Sequence, residues 1–223
     1  MPRKIIIETT VFKFEELSDK AKEKARAWFR DGNDDTHWAD VVYEDAATLG
    51  AYMGIDLRTR TEKARNGEPM CGLVNIYYSG FWSQGDGACF EGNWHAKAID
   101  VAGLKQAAPQ DTKLHVIADG LAAVAKDYPE ARATTKHSGH YYHSGCMAVD
   151  WDVGTHPTED DPPHSWYDDF DSDSLTDLLR SFADWIYRQL EEAYEQENSN
   201  EQVDENIICN EYEFYEDGSR ALV

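Results

Sequence analysis

The chain has 223 residues, long enough for one large domain or two small ones with a real hydrophobic core. Its 43 acidic and 21 basic residues leave a net charge of −22, of which residues 150–223 carry −19 and residues 1–149 only −3. This balance argues against direct contact with nucleic acid or an anionic membrane, both of which need clustered Lys and Arg, and no stretch has the ~18 apolar residues of a membrane span.

The elements follow in chain order. The segment "KIIIETTVFKF" (4–14) is rich in β-branched residues and reads as a strand. Ser18 then caps a helix whose apolar positions are Ala21, Ala25, Trp28 and Phe29. A second helix follows "RDGNDD", with Trp38, Val41, Val42, Asp45, Leu49, Tyr52 and Met53 at helical spacing and Gly54 where a left-handed cap would fall. "IDLRTRTE" alternates as a strand, and "KARNGEPMCG" is turn material. "GLVNIYYSGFW" and "ACFEGNWHAKA" read as two strands of a hairpin joined by Ser83 to Gly87. In it Tyr78, Trp82, Phe90 and Trp94 face inward while Glu91, Asn93, His95 and Lys97 face water.

After "APQD", a third helix puts Leu114, Ile117, Ala118 and Leu121 on one stripe, and Pro129 ends it. "EARATTKH" and "HYYHSGCMAVDW" then flank Ser138-Gly139, which reads as a two-residue hairpin turn. Residues 154–171 form a proline-rich acidic loop. Ser172 or Ser174 is expected to cap a long last helix, with Leu175, Leu179, Phe182, Trp185, Ile186 and Leu190 inward and Asp177, Asp184, Glu191, Glu192 and Glu195 outward. The acidic tail from 199 holds a short helix and an extended end. Interleaved helices and hairpins without a βαβ rhythm predict a single α+β domain over 1–223: a mostly antiparallel sheet with helices on one face and a long acidic C-terminal helix.

Four patterns bear on chemistry. "SQGDG" has neither the lysine nor the following helix of a phosphate-cradling loop, so it reads as a hairpin turn, with Phe81, Trp82 and Phe90 as a candidate partner-binding surface. "HSGHYYH" offers His137, His140 and His143. Across a two-residue turn His137 and His140 share a face and His143 takes the other, so two of them, with a carboxylate from elsewhere, are the most that one metal ion can collect. The four cysteines, Cys71, Cys89, Cys146 and Cys209, form no CxxC pair and read as reduced, buried or neutral thiols. Asp45 on an apolar helix face is a candidate buried carboxylate. No G-x-S-x-G, H-E-x-x-H or GxGxxG pattern occurs, so no catalytic residue is assigned and no cofactor is implied.

The fourth pattern is the acidic third. "TEDDPPHSWYDDFDSDS" interleaves Glu159, Asp160, Asp161, Asp168, Asp169, Asp171 and Asp173 with Trp166, Tyr167 and Phe170, and the helix adds Asp177, Asp184 and Glu191. Two readings stand side by side: a solvated acidic loop and helix face, or spaced carboxylates that imitate the phosphates of a duplex, with aromatic anchors between them. An EF-hand is excluded by the missing ligand spacing and central glycine.

The segments "VFKFEELSDKAKEKARAWFR", "VYEDAATLGAYMGIDL", "IYYSGFWSQGDGACFEG" and "HYYHSGCMAVD", with "NEYEFYEDGSR" near the end, resemble a family encoded by phages, prophages and other mobile elements. Some of its members are labelled as the antitoxin of a toxin–antitoxin system. The resemblance covers roughly residues 8–152 and carries no established active site. It implies a non-enzymatic protein of the bacterial host cytoplasm that binds and blocks a host target: a restriction enzyme, a CRISPR effector complex or a toxin. Together with the charge it leads to the expectation of an anti-defence inhibitor that presents Glu159, Asp160, Asp161, Trp166, Tyr167, Asp168, Asp169, Asp171, Asp173, Asp177, Asp184 and Glu191 to a basic, nucleic-acid-handling partner. The alternatives are an antitoxin acting by direct binding and a metal-dependent enzyme using His137 and His140. A homodimer stays open as the oligomeric state.

Overall fold

The computed structural model describes residues 8–32, 38–63, 69–154 and 170–221. The elements run β1 (Phe12–Lys13), α1 (Asp19–Gly32), α2 (Trp38–Tyr52), β2 (Met53–Leu57), β3 (Thr59–Lys63), β4 (Pro69–Val74), β5 (Ile76–Ser79), β6 (Gly87–Phe90) and β7 (Gly92–Ile99). They continue with α3 (Val101–Ala107), α4 (Thr112–Asp127), β8 (Arg132–His137), β9 (Met147–Asp152), α5 (Ser172–Glu197), α6 (Asn200–Cys209) and β10 (Glu213–Phe214). Every strand pair is antiparallel, and the architecture is α+β as expected. Where the sequence reads as one domain, the described residues gather into two compact units, one from 39–191 and one from 1–38 with 192–223.

The larger unit is built on the four-stranded sheet β2-β7-β8-β9. Strict alternation sorts its faces: Trp94 and Ala96 on β7, Ala133 and Thr135 on β8 and Met147 on β9 are buried. Asn93, Thr134 and Asp150, aligned across the three strands, lie on the wetter face. The buried face is covered by α4, which buries Leu114, Ile117, Ala118 and Leu121. Helix α5, with Leu179, Phe182 and Ile186 buried, is tied to β9 by the Trp151 indole donating to the Thr176 hydroxyl at 3.1 Å. Phe182 packs edge-on against Phe90, with ring centroids 5.5 Å apart, and Trp94 donates its indole N–H to the Met53 carbonyl at 3.1 Å. Each such side chain contributes about 1.5–3 kcal/mol by leaving water.

Helix α2 buries small residues rather than its large ones. Ala39, Val42, Ala46 and Gly50 face inward, whereas Val41 and Asp45 are exposed, so the expected buried Asp45 carboxylate is overturned. Gly54 does take the left-handed conformation expected after this helix, at φ +77°, and a Cβ there would collide with the His95 carbonyl. Helix α3, not expected from the sequence, is capped by Asp100, which accepts from the Gly103 amide at 2.9 Å.

The expected long strands are interrupted. Arg58 separates β2 from β3, Asn75 separates β4 from β5, and Glu91 separates β6 from β7. The three interruptions meet: the Arg58 amide donates to the Glu91 carbonyl, that of Glu91 to the Asn75 carbonyl, and that of Asn75 to the Arg58 carbonyl, at 2.7–2.9 Å. Asn75, only 5% exposed, also donates its side-chain amide to the Glu91 carboxylate at 2.8 Å. The other Glu91 oxygen accepts from the His137 amide at 3.3 Å.

The smaller unit pairs β1 with β10 and packs α1 on α6 around Phe14, Leu17, Ala21, Ala25, Val203, Ile207 and Phe214. Ser18 caps α1, with its hydroxyl 3.4 Å from the Ala21 amide. The first strand is far shorter than read from 4–14: residues 8–11 are not in a strand, and residues 4–7 lie outside the described residues. Arg26 makes two bonds of 2.6 Å to Asp204, Lys24 reaches Asp217 at 2.7 Å, and Lys13 lies 3.5 Å from Glu213.

Asn75→Ala removes the Glu91 donor inside a buried junction, and the protein should lose about 1–3 kcal/mol of stability. Chemical denaturation measures the loss, and an unchanged midpoint would show that the junction is dispensable.

Candidate binding surface

Of the residues expected at a partner surface, Glu159, Asp160, Asp161, Trp166, Tyr167, Asp168 and Asp169 lie outside the described residues. The rest separate by role. Asp171 is the cap of α5, in place of the expected Ser172 or Ser174: it accepts from the Ser174 amide at 3.0 Å and from the Ser174 hydroxyl at 2.5 Å. Those bonds, the hydroxyl first, hold its carboxyl below the usual range. Asp173, Asp177 and Asp184 are exposed and Glu191 is half-buried. At 3.6 residues per turn these four fall within about 40° of one another, on one stripe of the helix. Arg180, 3.6 Å from Asp177, is interleaved with them, and Arg188 lines a groove between α4 and α5 together with Asp184, Lys113 and Val116.

The stripe ends at a second feature. Tyr187, one turn before Glu191, donates its hydroxyl to the Gly80 carbonyl at 3.2 Å and packs on Phe81 with centroids 5.6 Å apart. Burial raises the Tyr187 hydroxyl above the ordinary phenol range, and the Glu191 and Asp86 carboxylates add to the rise. The helix stripe and the "GFWSQGDG" loop are therefore neighbours, which their separation in sequence conceals.

That loop joins β5 and β6 as a true hairpin, with residues 80–86 as the turn. Asp86 organises it by accepting from the Trp82 amide at 3.0 Å and the Ser83 amide at 2.6 Å. Trp82, read both as inward on the strand and as part of a partner surface, is 64% exposed, because the turn begins at Gly80 and carries it off the strand face. Phe90, read both as inward and as part of the recognition surface, is fully buried against Phe182, as the inward reading has it.

Strands β8 and β9 do pair, but not across Ser138-Gly139. His137 opposes Met147, and residues 138–146 form a long loop with a 3-10 turn at Ser144–Cys146. His140 is therefore not on a strand facing His137. The His137 ring lies 3.0 Å from the Tyr141 carbonyl, His140 packs edge-on against Tyr141, and His143 Nε2 lies 3.4 Å from Cys146 Sγ. Among the described residues no group of three or more His, Cys, Asp and Glu side chains is arranged to hold a metal ion. The cysteines differ: burial pushes the Cys89 thiol up to about 12, Cys146 is half-buried and Cys209 is exposed.

The long loop lies directly on the hairpin. A Cβ on Gly85 would lie 3.6 Å from the Tyr141 ring, and one on Gly87 would sit 2.6 Å from His143 Cα. Tyr142 stacks on Tyr77 at 5.9 Å, and the Arg60 guanidinium covers Tyr77 at 5.4 Å. Tyr141, Tyr142 and Tyr187 were not singled out in the sequence. The "HYYH" run was the available signal, concealed by its reading as a strand.

These features define an α+β protein whose described surface joins an acidic helix stripe to an aromatic loop pair. The chain belongs to the DUF8835 family, a domain of unknown function, whose pattern matches residues 38–200 and so takes in the whole of the larger unit. No curated protein and no solved structure matches the chain.

Two outcomes are expected. Gly87→Ala should cost about 1–3 kcal/mol through overpacking against the His143 backbone, measured by denaturant unfolding. Asp171→Ala should lower the melting temperature at neutral pH. The cap's contribution is present above the ordinary carboxylate pKa and is lost as pH falls through the lowered folded value, so variant and wild type should converge in acid. Melts from pH 7 to pH 2 that stay equally separated throughout would contradict that role.

Proposed function

We propose that the protein acts by binding rather than by chemistry, as a mobile-element inhibitor of a host nucleic-acid-dependent defence complex. The observation that carries this reading is the exposed stripe of Asp173, Asp177 and Asp184 leading to Glu191 and the aromatic loops, in a unit that holds 25 acidic and 12 basic residues. A restriction or CRISPR effector complex holds nucleic acid in basic grooves, and a surface of opposite sign is steered toward such a groove. The motifs shared with phage and prophage proteins supply the biological setting.

The stripe is sparser than a phosphate ladder. From Asp173 to Glu191 it runs about 27 Å along the helix, a length over which a duplex presents roughly sixteen charges, and Arg180 lies among its four carboxylates. Charge complementarity is thus the mechanism assigned to α5, and imitation of a duplex belongs to residues 159–169. The antitoxin reading uses the same acidic surface against a basic toxin, and is supported by the label carried by some of the similar mobile-element proteins.

Reversing Asp173, Asp177 and Asp184 to Lys should weaken binding to the host complex about tenfold, at roughly 0.5 kcal/mol for each exposed charge. Affinity capture from host lysate at low and high salt, with wild type and variant in parallel, reads this. Equal capture by both at every salt concentration sinks the electrostatic reading. Rescue of growth against a toxin encoded beside the gene, with no effect on host defence, would favour the antitoxin.

A further inference from the structure

We propose that the paired loops 80–86 and 138–146 form a receptor for arginine side chains of a partner's basic segment, with guanidinium groups stacking on Trp82 and Tyr141. This rests on the basic-partner reading for the sign of the partner's charge, and it adds which cation is recognised and where.

Four observations support it. Trp82, Tyr141 and Tyr142 are 64%, 57% and 36% exposed and lie on two loops in contact, a concentration of large aromatic surface typical of binding hot spots. The loops are held before any partner arrives: Asp86 closes one, Tyr187 ties it to α5, and Gly85 and Gly87 let the other lie against it. The aromatic stack already accepts a guanidinium, since Arg60 covers Tyr77 and Tyr77 stacks on Tyr142. Finally, neither 77–92 nor 137–146 contains Lys or Arg, while Asp86 lies in the first segment with Glu191 beside it; Glu91 is already engaged by Asn75 and Arg58.

The chemistry selects the occupant. A nucleobase would stack on the same rings, but its phosphates would meet Asp86 and Glu191, while the nearby cations are already engaged, Arg60 on Tyr77 and Arg58 3.8 Å from Glu91. A cation is drawn to the ring faces and to the carboxylates together. Arginine fits better than lysine because its planar, weakly hydrated guanidinium stacks on an aromatic face, whereas an ammonium keeps its water.

The test uses the full chain with two probes of equal charge, nona-arginine and nona-lysine, and titration calorimetry on wild type, Trp82→Leu, Tyr141→Leu, the double variant and Asp177→Lys/Asp184→Lys. Leucine keeps apolar area and removes the ring. Wild type should prefer the arginine peptide about tenfold, each single variant should lose part of that preference, and the double variant should bind both peptides alike. The charge-reversed variant should weaken both peptides equally and keep the ratio. Absence of a preference in wild type, or a preference intact in the double variant, overturns the receptor. Unchanged affinities in the charge-reversed variant would count against the acidic stripe and leave the receptor standing.

Discussion

The larger unit depends on the junction of Arg58, Asn75 and Glu91. Each residue interrupts a strand, and an interruption leaves backbone groups that must find partners away from water. They find each other, so the four-stranded sheet, the β3-β4 pair and the β5-β6 hairpin are joined by backbone hydrogen bonds at one place. The Glu91 carboxylate adds a second set, accepting from the Asn75 side-chain amide and the His137 backbone amide. This junction fixes the direction in which β5 and β6 leave the sheet, and with it the position of the 80–86 turn beside residues 138–146.

The charge asymmetry along the chain has two destinations. In the smaller unit, acids of the tail are met by bases of the N-terminal segment, as in Arg26 with Asp204 and Lys24 with Asp217. Those carboxylates hold the fold together. In the larger unit, the α5 stripe has fewer internal partners, and Asp173, Asp177 and Asp184 stay open to solvent. Net charge alone overstates the free acidity, because pairing is decided by which segments fold against each other.

Much of this was legible in the sequence. Helices α1, α4 and α5 follow from apolar residues at helical spacing, and β7 from its alternation. Other features were concealed for identifiable reasons. Asn75 and Glu91 sit at polar positions of an alternating pattern, so an interrupted strand looks like a continuous one. Ser138-Gly139 has the composition of a tight turn although the turn is much longer. Helix α2 packs through Ala39, Ala46 and Gly50, whose small size allows close approach but gives little hydropathy signal, so the larger Val41 looked like core. For the candidate surface, composition alone identified the acidic stripe. The neighbouring aromatic loops depend on a contact between Tyr187 and Phe81 that no local pattern encodes.

The pairing of Phe12 with Phe214 bears on how the chain acquires its structure during synthesis. The larger unit is one continuous stretch, so all its contacts become available as soon as residue 191 has left the ribosome. The smaller unit is split: α1 precedes the larger unit in the chain, whereas its partners Val203, Ile207 and Phe214 follow it. Its apolar face therefore remains uncovered through the translation of more than a hundred residues. The basic side chains on the same helix, Lys24 and Arg26, can complete their ion pairs with Asp217 and Asp204 only after those late-made acids emerge.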